Sequence, residues 1–334
     1  MEKRGQWMKI PVGAAIALMI LFSFARAGSG ADITTLRSSY GGTAGYQLPI
    51  WVVKEAGLYK KYGVPDMEVI MIEGGAVNIQ ALLGGSLDMT QTSASSPIQA
   101  ALKGAPVVIV ATTDNKIPVQ MISRSDIKTP QQLKGKTIGI VRFGGSNETA
   151  VKMALKEWNI ELREVKILPA GGAAARMAAM ASGRIDATVQ SYPEIYQAKK
   201  LGMNILADIG DFGSYTNTSL IVTRPFLQQN RALTKNMIKA VIEAIHYIKT
   251  NKPETLRVLK KYMQMNDMEA IGVTYDFFSK RMPRVPRTDP EGVKNILDEI
   301  KSPLKDYSGF LDMSLVDEIE REGFIQKVYG PEKR

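Results

Sequence analysis

Cysteine is absent from the 334-residue chain, and histidine occurs once, at His246. Without a thiol there is no disulfide, thiolate nucleophile, zinc–thiolate site or cysteine for lipid attachment. A single histidine leaves no His-based metal cluster and no Ser-His-Asp triad. His246 sits beside the apolar stripe of a helical segment, where a solvated or rim position is expected. The G-x-S-x-G elbow is also missing. "LKGKT" (133–137) ends like a phosphate-binding loop, but Pro130 stands where that pattern needs its first glycine, and the segment precedes a strand instead of following one. No dense basic run carries interleaved aromatics, which argues against nucleic acid. Nothing after residue 27 is long and apolar enough to cross a bilayer. These absences exclude thiol nucleophiles, His-based metal clusters and the Ser-His-Asp triad, and neither cofactor nor metal is expected.

What is present begins with an export signal. Lys3, Arg4 and Lys9 precede an apolar run from Ile10 to Phe24, and "ARA" ends at Ala27. That is a basic n-region, an h-region and a small-x-small cleavage site. The run is about 15 residues, short for a span that needs roughly 20. Residues 1–27 are therefore expected to be a cleaved signal peptide, leaving the mature chain in a periplasm or secreted. The full chain has a formal charge of +10; without residues 1–27, 39 basic residues face 32 acidic ones, +7. The basic residues are dispersed, giving a soluble basic surface with a bias toward anionic ligands.

The rest of the chain repeats itself. "SSYGGTAGY" (38–46) follows the strand-like "ITTLR", and "FGGSN" (143–147) follows "TIGIVR". Then come "EVIMIEGGAVNIQALLGGSLDMTQTS" (68–93) and "EVKILPAGGAAARMAAMASGRIDATVQS" (164–191). Each reads as strand, Gly-Gly turn, short helix, Gly-containing turn, and a strand with Asp near its start. Gly75 to Asp88 spans 13 residues and Gly172 to Asp186 spans 14. Three motifs in the same order indicate two similar α/β units, with mostly parallel sheets flanked by helices. The spacing predicts helices over 46–63 and 146–160, the second opening with Ser146 or Asn147 at its N-cap. From Arg231 onward the pattern is helical only, and this tail must pack on an earlier lobe. The expected division is lobe one over 28–116 and 217–334, and lobe two over 117–216. The crossings fall near Asn115–Pro118 and Tyr215–Ser219, beneath a cleft.

At this point "PIWVVKEAGLYKKYGV", "EGGAVNIQALLGGSLDMT", "DIKTPQQLKGKTIGIVRFGGSNETA" and "SGRIDATVQSYPE" resemble the substrate-binding proteins of nitrate/taurine/sulfonate ABC importers. The resemblance covers about residues 31–325. It implies the type II periplasmic-binding-protein fold, a helical tail packed on lobe one, and a monomeric receptor. Such a receptor binds a small, anionic organic solute (sulfonate, taurine, nitrate or carboxylate) and hands it to a membrane permease with its ATPase. The alternatives are a pyrimidine-metabolising enzyme or a sensory receptor on the same fold.

Ligands of open α/β sheets bind beyond the carboxyl ends of strands, where these glycine loops lie. Gly42, Gly75 and Gly145 allow close backbone approach, and a helix N-terminus there favours an anion. Thr43, Tyr46 and Gln47 are expected to reach the cleft. Trp51, one turn further, is core or cleft wall. Thr92 and Ser93 end a strand as oxyanion contacts or as a cap. Ser146 and Asn147 are the best anion donors, and Gln190 and Tyr192 mirror Thr92. Arg142 either pairs bidentately with a sulfonate or carboxylate, or points to a partner or solvent; Arg37 is taken as its counterpart. Asp88 and Asp186 are expected to be structural.

Overall fold

The computed structural model describes residues 33–330, so the expected signal peptide lies outside the described residues. Alternating strand and helix signals produce two five-stranded sheets. The first holds β1 (Leu36–Tyr40), β2 (Met67–Met71), β3 (Met89–Ser93), β4 (Val107–Asp114) and β10 (Thr218–Thr223). The second holds β5 (Gln120–Ser123), β6 (Thr137–Ile140), β7 (Lys166–Pro169), β8 (Ala187–Gln190) and β9 (Asn204–Asp208). Their orders correspond position by position: β2-β1-β3-β10-β4 and β7-β6-β8-β5-β9. In each, four strands run the same way, and both antiparallel pairings are made by one reversed strand, β10 or β5. The sheets are thus mostly parallel, as expected, each with a single reversed strand. The strand that has just crossed from the other lobe, β5 or β10, enters its sheet from the opposite end.

Helices α1 (Leu48–Glu55), α2 (Leu58–Lys61), α3 (Gly75–Leu83) and α4 (Ser95–Leu102) flank the first sheet. The helix expected over 46–63 is broken because Gly57 takes the left-handed conformation, φ 66°. Helices α5 (Ser146–Glu157), α6 (Ala173–Ala181) and α7 (Glu194–Lys200) flank the second sheet. The tail contributes α8 (Arg224–Gln229), α9 (Arg231–Thr250), α10 (Lys252–Met263), α11 (Met268–Arg281), α12 (Pro290–Glu299), α13 (Ser314–Arg321) and α14 (Phe324–Tyr329). Thr223, Asp267 and Asp289 cap α8, α11 and α12 through side-chain oxygens, satisfying amides that those helix starts leave open. No helix among the described residues is long and apolar enough to cross a membrane.

One core lies between the first sheet and α1, α9, α10, α11, α13 and α14. Trp51 is fully buried there, stacked on Tyr262 at 4.9 Å, so it is core and not cleft wall. The tail packs on lobe one with one excursion: Val293, Ile296 and Leu297 of α12 join a second core shared with α5 of the second lobe. Glu299 at its end pairs with Lys152 of α5 at 3.1 Å.

The chain runs from β4 to β5 and back from β9 to β10 along adjacent paths. The Tyr215 amide donates to the Asn115 carbonyl (2.9 Å), and the Asn217 amide to the Asp114 carbonyl (3.0 Å). Residues ahead of α12 hold the crossing: the Asn115 side chain donates to the Arg287 carbonyl (2.8 Å) and accepts from the Asp289 amide (2.9 Å).

Candidate ligand-binding cleft

The duplication fixes equivalent scaffolding in the two lobes. Asp88 accepts from the Arg37 amide, and Asp186 from the Thr137 amide, each at 2.8 Å. Both aspartates therefore pin the start of a central strand, as expected of structural residues. This register also corrects one pairing. Arg37 corresponds to Thr137, not to Arg142, and its guanidinium is spent on Asp88 (2.7 and 3.1 Å). Further along, Asn78 of α3 corresponds to Arg176 of α6. Asn78 bonds the Ile72 and Gly74 carbonyls. Arg176 makes the same kind of inward ties to the Gly171 carbonyl (2.7 Å), the Thr188 hydroxyl (3.0 Å), the Val189 carbonyl (3.3 Å) and the Gln190 amide oxygen (2.8 Å).

Between the lobes lie two adjoining cavities of about 60 Å³ each, sharing Gly41, Tyr46, Gly74, Val119, Val141 and Asn147 as walls. This is far below the 300–1,000 Å³ of drug-sized sites and suits a small solute. The lobes already touch around them. The Ser96 hydroxyl donates to the Gly144 carbonyl across the cleft at 2.9 Å. Arg142 lies over Gly74, where a Cβ would meet its Nε at 2.6 Å; Gly74 has φ 87°. Any side chain at position 74 would displace the arginine, so this glycine is required for close approach.

The first compartment gathers Gln47, Gly75, Thr92, Ser93, Arg142, Gly145 and Ser146 with the shared Tyr46 and Asn147. Arg142 is its only charged residue. Its Nε is buried without a hydrogen-bond partner, as is Oδ1 of Asn147. Gln47 is held by Gln91, whose Nε2 donates to its Oε1 at 2.7 Å. The loop after β6 ends with Gly145 as the N-cap, φ −124° and ψ 173°, and Ser146 begins α5. The expected Ser or Asn cap is thus replaced by glycine, and Ser146 and Asn147 occupy the first turn, whose amides lack intrahelical acceptors. One loop amide is already used: Gly144 N–H donates to Glu148 Oε2 at 2.7 Å.

The second compartment holds Gly42, Thr43, Gln190 and the shared Tyr46, together with Glu73, Arg176 and Glu194. Burial pushes the Tyr46 phenol up to about 12, so it stays a neutral hydrogen-bonding group. Burial also lowers the Arg176 guanidinium to about 10, and raises the Glu194 carboxyl.

Of the expected site residues, Tyr192 alone lines neither compartment. Its ring packs on Phe277 of α11 at 4.9 Å, forming part of the contact between the lobes. Arg176, Glu73, Glu194 and Asn217 line the cleft without having been singled out from the sequence. A signal for Arg176 was present: it is the only charged residue in the alanine-rich α6, "AAARMAAMA".

Comparison with known proteins agrees with this architecture. A protein of Escherichia coli (strain K12) named for binding aliphatic sulfonates is 26% identical over 211 residues, 62% of this chain and 65% of that protein. The chain thus spans about two thirds of that curated relative's length. The solved periplasmic aliphatic sulphonate binding protein SsuA from E. coli superposes with a TM-score of 0.64 at 21% identity, over 89% of this chain and 90% of that one. The periplasmic nitrate-binding protein NrtA from Synechocystis PCC 6803 gives 0.69 at 17% identity, over 90% of each chain. The fold is that of the type II periplasmic binding proteins. The family model described as NMT1/THI5 like matches residues 45–255, most of both lobes, and the chain belongs to that family.

Proposed function

We propose that the chain is an exported receptor of an ABC importer, one that binds a small organic anion in the inter-lobe cleft and delivers it to a membrane permease and its ATPase. The observation that carries this reading is Arg142. It is the only charge in the first compartment, and its buried Nε lacks a partner. Leaving a buried N–H donor unpaired is costly, and an anion drawn to this half-buried guanidinium would bring acceptor oxygens to it. The hydroxyls of Thr92, Ser93 and Ser146 and the first-turn amides of α5 surround the same space with neutral donors, which suits an oxyanion. The relatives named for sulfonate and nitrate binding support this class of ligand and a periplasmic location. In this reading residues 28–116 and 217–334 act as one lobe, residues 117–216 as the other, and the monomer closes about the paired crossings.

Catalysis is not part of the reading, since the cleft holds carboxylates, hydroxyls and arginines but neither histidine nor cysteine. The test is native mass spectrometry of the mature protein taken from its own periplasm. An unchanged small anion retained by the protein is the expected result. A chemically converted product, or a neutral ligand, would overturn it.

A further inference from the structure

The loop 143–147 has little to hold it from within. Gly144 and Gly145 carry no side chains, and Phe143 is exposed. Gly144 is left-handed, φ 78°, and both of its backbone polar groups are tied. Its carbonyl accepts from Ser96 of lobe one (2.9 Å), and its amide donates to Glu148 Oε2 (2.7 Å). Glu148 is tied in turn. Its Oε1 pairs with Lys152, one turn on, at 2.8 Å. Lys152 also faces Glu299 Oε1 at 3.1 Å, and the Thr149 hydroxyl donates to Glu299 Oε2 at 3.4 Å. The two carboxylates are only 16% and 12% exposed, so these contacts are little screened. Burial works against the charge on Lys152, but the two carboxylates outweigh it and raise its pKa.

Glu299 is the last residue of α12, and α12 is itself anchored. Asn295 donates to the Ser214 carbonyl at 2.8 Å. At Gly292 a Cβ would meet the Thr216 amide nitrogen at 2.6 Å, so the helix lies directly on the return crossing. Val293, Ile296 and Leu297 pack in the core that holds Val151 and Ala154 of α5. We infer that Glu148, Lys152 and Glu299 are positioning residues of the anion site. None of them lines either compartment. They act on the ligand through the Gly144 amide, which fixes the loop leading into the first turn of α5, and α12 braces that loop from the C-terminal tail. The inference rests on the anion reading of the first compartment.

Charge and position predict opposite signs here. Glu148→Leu and Glu299→Leu each remove a negative charge near a bound anion, so charge alone would tighten binding, whereas loss of position weakens it. Calorimetric titration of the mature chain with ethanesulfonate, nitrate and benzoate, beside wild type and Arg142→Met, reads the sign. The anion that wild type binds best should bind each leucine variant about three- to tenfold more weakly, the range of one hydrogen bond. Glu148→Gln keeps an acceptor for the Gly144 amide and should recover most of the affinity. Glu299→Gln, close to isosteric, repeats the sign test with the least risk to folding. The double leucine variant should be no weaker than Glu148→Leu alone, because both act through one contact. Unchanged or tighter binding in both leucine variants, with Arg142→Met still weakened, overturns the positioning role and leaves the anion reading standing. A lower melting temperature at unchanged affinity overturns it too, since the ties would then be structural only. Weakening in Glu148→Leu but not in the Glu299 variants overturns the part given to α12. If Arg142→Met binds as wild type does, the anion reading falls and this inference with it.

Discussion

Replacing Gly145 with valine separates a ligand contact from a turn requirement. Gly145 has φ −124° and ψ 173°, a region open to any residue. A Cβ there meets only the Arg142 carbonyl oxygen, at 3.9 Å, an ordinary contact. Valine is a poorer N-cap than glycine, at a cost of up to about 1 kcal/mol. Restricting the unfolded chain returns about 0.4–1 kcal/mol when a residue fits its native conformation. These effects nearly cancel, so the melting temperature without ligand should stay within a few degrees of wild type. The ligand experiences something different. The isopropyl group covers the first-turn amides of α5 on the wall of the first compartment. Losing one charge-assisted bond there costs about 1.5–3 kcal/mol. That corresponds to roughly 10- to 150-fold in Kd. The neighbouring Gly144→Val supplies the contrast, because Gly144 has φ 78° and a β-branched residue there costs about 1–3 kcal/mol in the folded state. Differential scanning fluorimetry of both variants, followed by titration with the best anion, reads both effects. If Gly145→Val binds that anion as well as wild type does, the loop is a turn and the anion-site argument for it is wrong.

Other expectations follow from the same geometry. Arg176→Met strips buried acceptors at Thr188, Gly171, Val189 and Gln190, each worth about 1–3 kcal/mol when left unsatisfied, so the ligand-free protein should lose about 3 kcal/mol in a urea melt. Burial pushes the Asp114 carboxyl up to about 6 from an ordinary 3.8, even with Arg281 at 3.4 Å. The folded state then holds its proton to a higher pH than the unfolded chain does. Its contribution to stability is greatest below about 3.8 and falls as pH rises to about 6. Asp114→Asn should flatten that part of the stability–pH curve without lowering stability at pH 7. Edman sequencing of the periplasmic protein should begin at Gly28 or within a few residues, and an intact Met1 on membrane-held protein would contradict export.

Much of the fold was readable because its signals are local and repeated. Strand runs, Gly-Gly turns and the Asp strands recur about a hundred residues apart, and equivalent positions such as Asp88 and Asp186 do equivalent jobs. What escaped was set by contacts distant in sequence. Strand direction depends on where the chain re-enters a sheet, which no local pattern encodes, so β5 and β10 as antiparallel members were not foreseen. The excursion of α12 onto α5 is decided by the clamp on the crossing at Asn115 and Asp289, 174 residues apart in sequence. In the cleft, glycine loops and hydroxyls were legible as types. Arg176 was passed over because its counterpart Asn78 is neutral, so the repeat drew no attention to it. Arg37 was paired with Arg142 by its place after an apolar run, and the true register is shifted by five residues. Tyr192 follows its strand like a cleft residue, but α11 offers Phe277 as a closer partner.

The central claim is that Arg142 supplies the charge that holds an anion between the lobes. Calorimetric titration of the mature wild type and of Arg142→Met with ethanesulfonate, taurine, nitrate and benzoate tests it most directly. The arginine's Nε is an unpaired donor, so its loss should leave the ligand-free melting temperature unchanged or raised. At least one anion should bind wild type and bind the variant more than about tenfold less tightly, a difference of roughly 1.4 kcal/mol or more. Equal affinity in the two proteins, or a tightest ligand that is neutral, would contradict the account.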